Sequence, residues 1–291
     1  MTIFNLGSIN ADHFYAVPHI VKPGQTLAST KFTQGLGGKG ANQSVAITRA
    51  GGAVRHIGAV GADGQMWLDR LAELGVAVDD IATLDTPTGH AIISVAADGE
   101  NAITLFPGAN QMIPAQHIEG VLADLGSNDW LLMQNETNGQ DAAIAVAKAK
   151  GAKIAYSAAP FKTGAVKAIL PHIDLLVVNE GEAEDTKKAL GVSGPEDLPV
   201  SLVLMTLGSK GAVLIDTQTK STIHAVTIPV TAIDTTGAGD TFLGYFMAAT
   251  DLGMDAKAAL TLANKAAALK VTKPGTADAI PGLDEVNKFQ S

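Results

Sequence analysis

The chain has 291 residues, 46% of them hydrophobic, a formal net charge of −9 and no cysteine. That length and apolar fraction allow a substantial core and suit one large α/β domain or two smaller ones. The acidic balance argues against a partner recognised through a nucleic-acid backbone, and the lack of Cys excludes disulfides, thiolate metal sites and Cys nucleophiles. Residues 1–5 carry no basic segment or long apolar run, and the apolar stretch 241–250 is too short to span a bilayer. A cytoplasmic protein with no membrane partner is therefore expected.

Residues 2–6 read as a first strand, followed at its C-terminal end by Asn10 and Asp12. Residues 11–34 then alternate apolar and polar in strand fashion, outside a βα rhythm. Gly35-Leu36-Gly37-Gly38-Lys39-Gly40 formally matches G-x-G-x-x-G. A dinucleotide site is opposed by its place after the first βα corner and by the lack of an acid in the strand about twenty residues on. A Walker A loop is also absent, because Ala41 stands where its lysine would be needed. The same glycines could instead let a small polyhydroxy substrate approach the backbone, with Lys39 and Asn42 projecting onto it. As a purely structural feature they would be a hairpin end that starts a helix.

Helix 41–50, strand 54–60 and helix 65–74 follow. Residues 88–106 form a second alternating stretch, with a turn at Asp98-Gly99. With 11–34 it is a candidate small β lid. Strand 130–134 leads to Glu136, then come helix 138–150, strand 153–157, helix 163–170 and strand 175–178. Asn179 and Glu182 open helix 180–190, and strand 202–207 ends the βα series. Acids and amides thus recur at the C-terminal ends of strands, where open α/β sheets place ligands; any one of them could equally be a helix cap. Strands 212–216 and 221–226 read as an antiparallel pair, before helices 241–250 and 255–271. The βα alternation predicts a mostly parallel sheet with helices on both faces.

The most informative stretch is Asp234-Thr235-Thr236-Gly237-Ala238-Gly239-Asp240, directly before an apolar helix. Small residues at a helix start let an anion reach unpaired N–H groups at the positive dipole end. Asp240 beside such a site suits a base that takes a proton from a hydroxyl while the turn stabilises a transferring phosphoryl group. It could also merely favour the helix dipole.

These clusters, in this order over nearly the whole chain, resemble the ribokinase/phosphofructokinase-B family of sugar kinases. The resemblance rests on Gly7-Ser8-Ile9-Asn10-Ala11-Asp12-His13, Gly37-Gly38-Lys39-Gly40-Ala41-Asn42-Gln43, residues 131–136, 179–184 and 206–211, and Asp234 to Phe242. It implies a ribokinase-like three-layer sandwich, a discontinuous β lid from about 11–36 and 88–106 on a single domain, and a homodimer built through that lid. It implies ATP-dependent phosphorylation of a sugar hydroxymethyl group, with D-ribose as the first expectation. Another acceptor (deoxyribose, a ketose or a nucleoside) and a non-catalytic sensor remain as alternatives. By resemblance Asp240 would be the base, and Gly237, Ala238 and Gly239 the anion hole. Asn10, Asp12, Gly38, Lys39, Asn42 and Glu136 would hold the sugar. Asn179 and Glu182 would organise Mg²⁺ and phosphates, partly through water. Thr206, Gly208, Lys210 and Gly211 would line the nucleotide site, with Asn264 near adenine. Asp234 and the Thr236 carbonyl would help bind K⁺, with carbonyls near Lys273 and Gly275.

Four departures from the family pattern carry expectations. Tyr245 stands where a small residue is preferred, Ala279 where Ser is frequent near the cation, and Ser157 where Asn is common. Residues 192–201, with two prolines and a glycine, cannot form the helix the family usually carries there.

Overall fold

The computed structural model describes residues 1–289. The chain begins β1 (Ile3–Leu6), β2 (Asn10–Val17), β3 (Lys31–Gly37), α1 (Lys39–Arg49), β4 (Val54–Gly61), α2 (Gln65–Glu73), β5 (Ile81–Leu84), β6 (Gly89–Ala96) and β7 (Asn101–Phe106). It continues α3 (Ala115–Leu122), β8 (Trp130–Met133), α4 (Gln140–Lys150), β9 (Lys153–Ser157), α5 (Thr163–Ile169), β10 (Leu175–Asn179) and α6 (Glu180–Leu190). It ends β11 (Leu202–Thr206), β12 (Ala212–Asp216), β13 (Ser221–Ala225), α7 (Ala238–Asp251), α8 (Ala256–Lys270) and α9 (Leu283–Lys288).

Nine strands form the central sheet in the order β13-β12-β11-β10-β9-β8-β1-β4-β5. From β11 to β5 every pair is parallel; β12 and β13 are antiparallel additions at one edge. The period-two alternation of strand side chains divides the core into two layers. Ile3, Trp130 and Leu132 face α1, α2, α7 and α8. Phe4, Leu6, Leu131 and Met133 face α3, α4, α5 and α6. The expected α/β sandwich is thus the observed one.

The two alternating stretches make a separate four-stranded sheet in the order β3-β2-β6-β7. β2 pairs antiparallel to β3 and parallel to β6, and the Asp98-Gly99 turn joins β6 to β7, with Gly99 at φ 89°. Every residue of β7 is exposed.

Residues 191–201 contain a single 3₁₀ turn, Pro195–Asp197, in place of a helix. Leu198 and Val200 nevertheless bury themselves in the core, so a short segment covers this part of the sheet. Tyr245 is fully buried, and its hydroxyl donates to the Pro281 carbonyl at 2.6 Å, which replaces solvent for the one polar atom of a large side chain. Three elements lie outside the sequence expectations: β5, which is short and half-exposed, α3, and the six-residue α9. Among the described residues, no helix is long and apolar enough to cross a membrane.

Candidate active site

The glycine cluster starts α1 hard against the end of β1. Gly38 is the N-cap at φ 93°, and a Cβ there would stand 2.7 Å from the Ser8 carbonyl oxygen. A Cβ on Gly40 would collide with the backbone of Gly7 and Ser8. Glycine at both positions lets α1 begin at the C-terminal end of the first strand, the ligand-bearing end of a parallel sheet.

The expected sugar-side residues gather there. Glu136, just past β8, accepts from Ser8 Oγ at 2.5 Å and from the Lys39 backbone N–H at 3.1 Å through the same Oε2. Asp12, on β2, is only 6% exposed. Burial, and then the Glu136 charge, push its carboxyl up to about 7. The Gly37 backbone lies so close to that carboxylate that any Cβ at this position would overlap it. Asn10 Oδ1 accepts from Asn110 Nδ2 at 2.8 Å. Asn10 and Glu136 line a cavity of about 240 Å³ closed partly by Leu105 and Phe106 of the small sheet. The Lys39 ammonium is held above its usual range by Asp240 first, against the opposing effect of burial, with Glu136 and Glu182 adding to the rise.

Asp240 reaches this cluster because α1 and α7 pack closely. A Cβ on Gly244 would strike Ala46 and the Gln43 carbonyl, and one on Gly52 would strike Ala248, so small residues set the separation. Asp240 then lies in the first turn of α7 and accepts from Asn42 Nδ2 at 3.1 Å and from Gln43 Nε2 at 2.9 Å, one donor per oxygen. Gly237, the N-cap, is in the left-handed region at φ 73°. Of the first-turn N–H groups of α7, that of Ala238 donates to the Thr235 carbonyl at 3.2 Å, and those of Gly239 and Asp240 have no partner within the helix.

Behind Asp240 runs a chain of fully buried polar groups. Gln134 Nε2 donates to Gln43 Oε1 and to Asn5 Oδ1, both at 2.7 Å. Asn5 Nδ2 donates to the Gly40 carbonyl and to Ser44 Oγ, both at 2.9 Å. Ser44 Oγ lies 2.8 Å from His56 Nδ1, and His56 Nε2 lies 3.1 Å from the Gly7 carbonyl. A carbonyl can only accept, so Nε2 carries the proton. Burial pulls His56 down to about 4, so the ring is neutral and its Nδ1 accepts from Ser44. Every amide in the chain therefore has one orientation, and the row of donors ends on the Asp240 carboxylate.

A second cavity of about 440 Å³ opens on the other side of the α7 N-terminus. Thr206, Gly208, Gly211 and Asn264, the residues to which the resemblance assigns the nucleotide, line it together with Ala238 and Gly239. Lys210 does not: its Nζ turns to Glu180 Oε1 at 3.1 Å. Asn179 and Glu182 form a reciprocal capping box at the start of α6, each side chain bonding the other's backbone N–H at 2.9 Å. Among the described residues no group of three or more His, Cys, Asp or Glu side chains could hold a metal.

Asp234 anchors the loop before α7. Its Oδ1 accepts from the Thr236 N–H and its Oδ2 from the Gly275 N–H, both at 2.9 Å, and its carbonyl accepts from Lys270 Nζ at 3.0 Å. Lys273 turns away to Glu285 at 2.7 Å, and Ala279 is buried.

Sequence reasoning assigned no role to Ser8, Gln43, Asn110, Gln134 or Lys270. Gln134 carried a usable signal, being a lone amide that continues the apolar run of β8.

Comparison with known proteins agrees with this geometry. The model of the pfkB family carbohydrate kinases matches residues 2–282. The ribokinase of Haemophilus influenzae is 37% identical over 302 aligned positions, covering 99% of this chain and 98% of that protein. Ribokinase from Cryptococcus neoformans var. grubii, solved with ADP, superposes with a TM-score of 0.85 at 33% identity, covering 99% of this chain and 98% of the other. Arabidopsis thaliana ribokinase, solved with ribose and ATP, gives a TM-score of 0.83 at 28% identity, covering 99% of both chains. Fold, site and sequence match converge, and the chain belongs to the pfkB family of carbohydrate kinases.

Proposed function

We propose that this kinase transfers the γ-phosphoryl group of ATP to the 5-hydroxymethyl group of D-ribose, with Asp240 as the base. The observation that carries this reading is Asp240 in the first turn of α7, held by Asn42 and Gln43 of α1 and next to Ala238 and Gly239, which line the larger cavity. The names of the relatives support ribose as acceptor and ATP as donor.

In this reading Asn10, Asp12, Gly38, Lys39, Asn42 and Glu136 accept and donate to the sugar hydroxyls, and paired carboxylate and amide side chains suit a polyhydroxy ligand. Asn42 keeps one buried oxygen, Oδ1, with no protein partner, and a sugar hydroxyl can donate to it. Asp240, fixed by Asn42 and Gln43, takes the proton of the hydroxyl in line with the phosphoryl group. The N–H groups around Gly237, Ala238 and Gly239 meet the spreading negative charge, and Lys39 adds a positive one. The nucleotide occupies the larger cavity, with adenine toward Asn264. Mg²⁺, held by the nucleotide phosphates and through water by Glu182 and Asn179, would supply further charge neutralisation.

The small sheet acts as a lid that excludes water from the reacting hydroxyl. Phe32 and Ile92, which the strand register puts on one face of this sheet, are exposed apolar side chains that suit the face of a homodimer. The expected working place is the cytoplasm, where ATP is held.

The test is ADP release with Mg-ATP over D-ribose, 2-deoxyribose, fructose and adenosine, repeated with Asp240→Asn. The expected outcome is a strong preference for D-ribose, and a variant that keeps its fold and nucleotide binding while losing turnover by about a hundredfold or more. Preference for another acceptor overturns the substrate; near-normal turnover in Asp240→Asn overturns the base.

A further inference from the structure

Lys270 is a fully buried lysine that the proposed chemistry does not use. It ends α8, and its Nζ donates to the Asp234 carbonyl at 3.0 Å, on the loop that leads into the anion turn. A buried ammonium is costly unless its charge is met. Here the compensating charges are Asp234, whose carboxylate is two bonds from the backbone of the same loop, and Asp240, both of which oppose the effect of burial on the lysine. The loop on the other side, residues 271–276, meets Asp234 through the Gly275 N–H.

The family resemblance calls for a monovalent cation at this loop, held by Asp234, the Thr236 carbonyl and carbonyls near Lys273 and Gly275. The residues present do not fit that group well. Both Asp234 carboxylate oxygens already accept backbone N–H groups, and its carbonyl accepts the ammonium. Ala279 brings no side-chain oxygen. The Lys270 ammonium already sits on this loop, so a second cation bound there would meet like charge.

We propose that the Lys270 ammonium is this chain's own monovalent cation, tethering the Asp234 loop and the anion turn in place of K⁺. The tether is covalent to α8, so the charge is present at any salt composition. The enzyme consequently has no use for K⁺ as an activator. Lys270 is a positioning residue in this account, because it acts on the phosphoryl group through the loop that carries Gly237 to Gly239.

The activity arm of the test rests on the sugar-kinase reading, whereas the thermal arm does not. Wild type and Lys270→Met are compared in KCl and in tetramethylammonium chloride of equal ionic strength. Methionine fills a similar volume without charge, so the core stays filled. For wild type the expected results are equal melting temperatures in the two salts and D-ribose turnover within about twofold between them. For Lys270→Met the expected results are a loss of turnover of about tenfold or more in tetramethylammonium, and a K⁺-specific rise in melting temperature that wild type lacks. The proposal is overturned by a K⁺-specific stabilisation or activation of wild type, or by a folded Lys270→Met variant that keeps wild-type turnover without K⁺. If wild type turns over no sugar, the melting temperatures alone decide the matter; if the variant does not fold, the wild-type pair of salts decides it.

Discussion

Asp12 offers a prediction in which ligand binding and stability pull in opposite directions. Its carboxyl is 6% exposed, and burial, then the Glu136 charge, hold it up at about 7 in the folded protein, well above the ordinary carboxylate value of 3.8. The folded state therefore holds a proton on Asp12 that the unfolded chain has already released. Stability contributed by this group is present below about pH 4 and is lost as pH rises to about 7. A shift of about three units corresponds to about 4 kcal/mol, of which about 3 kcal/mol falls between pH 5 and pH 8. Asp12→Asn removes the titration while keeping shape and hydrogen bonding. Urea unfolding of both proteins at about pH 5 and about pH 8 isolates the contribution of Asp12 with its coupling to Glu136, because titrating groups that do not interact with Asp12 cancel in the difference between the two proteins. The variant should gain on wild type by about 3 kcal/mol more at the higher pH, while its affinity for D-ribose falls. An equal difference at both pH values would refute the account of Asp12 as a carboxylate held at the expense of the fold.

Two further predictions follow from the geometry. Gln43→Met removes a hydrogen bond to a carboxylate and strands one Gln134 N–H, so stability should drop by about 2–4 kcal/mol and kcat by about tenfold. Because Asp240 stays in the site, KM for sugar and ATP should hardly move; a rise in KM with kcat unchanged would contradict its positioning role. Gly37→Ala puts a methyl group onto the Asp12 carboxylate and should weaken sugar binding by about tenfold or more, with nucleotide affinity unaltered. Calorimetric titration of each ligand separates the two effects, and weakened nucleotide binding would show that the two cavities are not independent.

Much of the fold could be read in the sequence because its strands are short apolar runs separated by amphipathic helices. The edge elements could not. β5 has four residues with one fully buried position, and α9 has six, so neither offers a period long enough to recognise. α3 did carry Ile118, Val121 and Leu122 on one face, a pattern passed over beside Pro114. Within the site, the residues in glycine and small-residue clusters were identifiable because close backbone approach demands them. The support behind Asp240 was not. Asn5, Ser44 and His56 lie in segments whose periodicity places them toward α1, yet nothing local says that a polar chain fills that layer. Lys270 reads as the solvated end of a helix, and only the packing of α8 against the Asp234 loop buries it. Lys210 erred in the opposite way: it follows a nucleotide-lining glycine but faces solvent and Glu180.

The contacts that fix Asp240 join residues 197 and 198 positions apart in the chain. The two helices involved, α1 and α7, are made near opposite ends of synthesis, and the strands that order the sheet between them lie in the intervening sequence. Contacts of such long range form late, after the costs of closing large loops have been met. A nascent or truncated chain lacking α7 holds no competent base, because Asp240 lies in the first turn of that helix. Catalytic competence is thus a report on the completed chain, and in refolding experiments phosphoryl transfer should return after the spectroscopic signal of secondary structure.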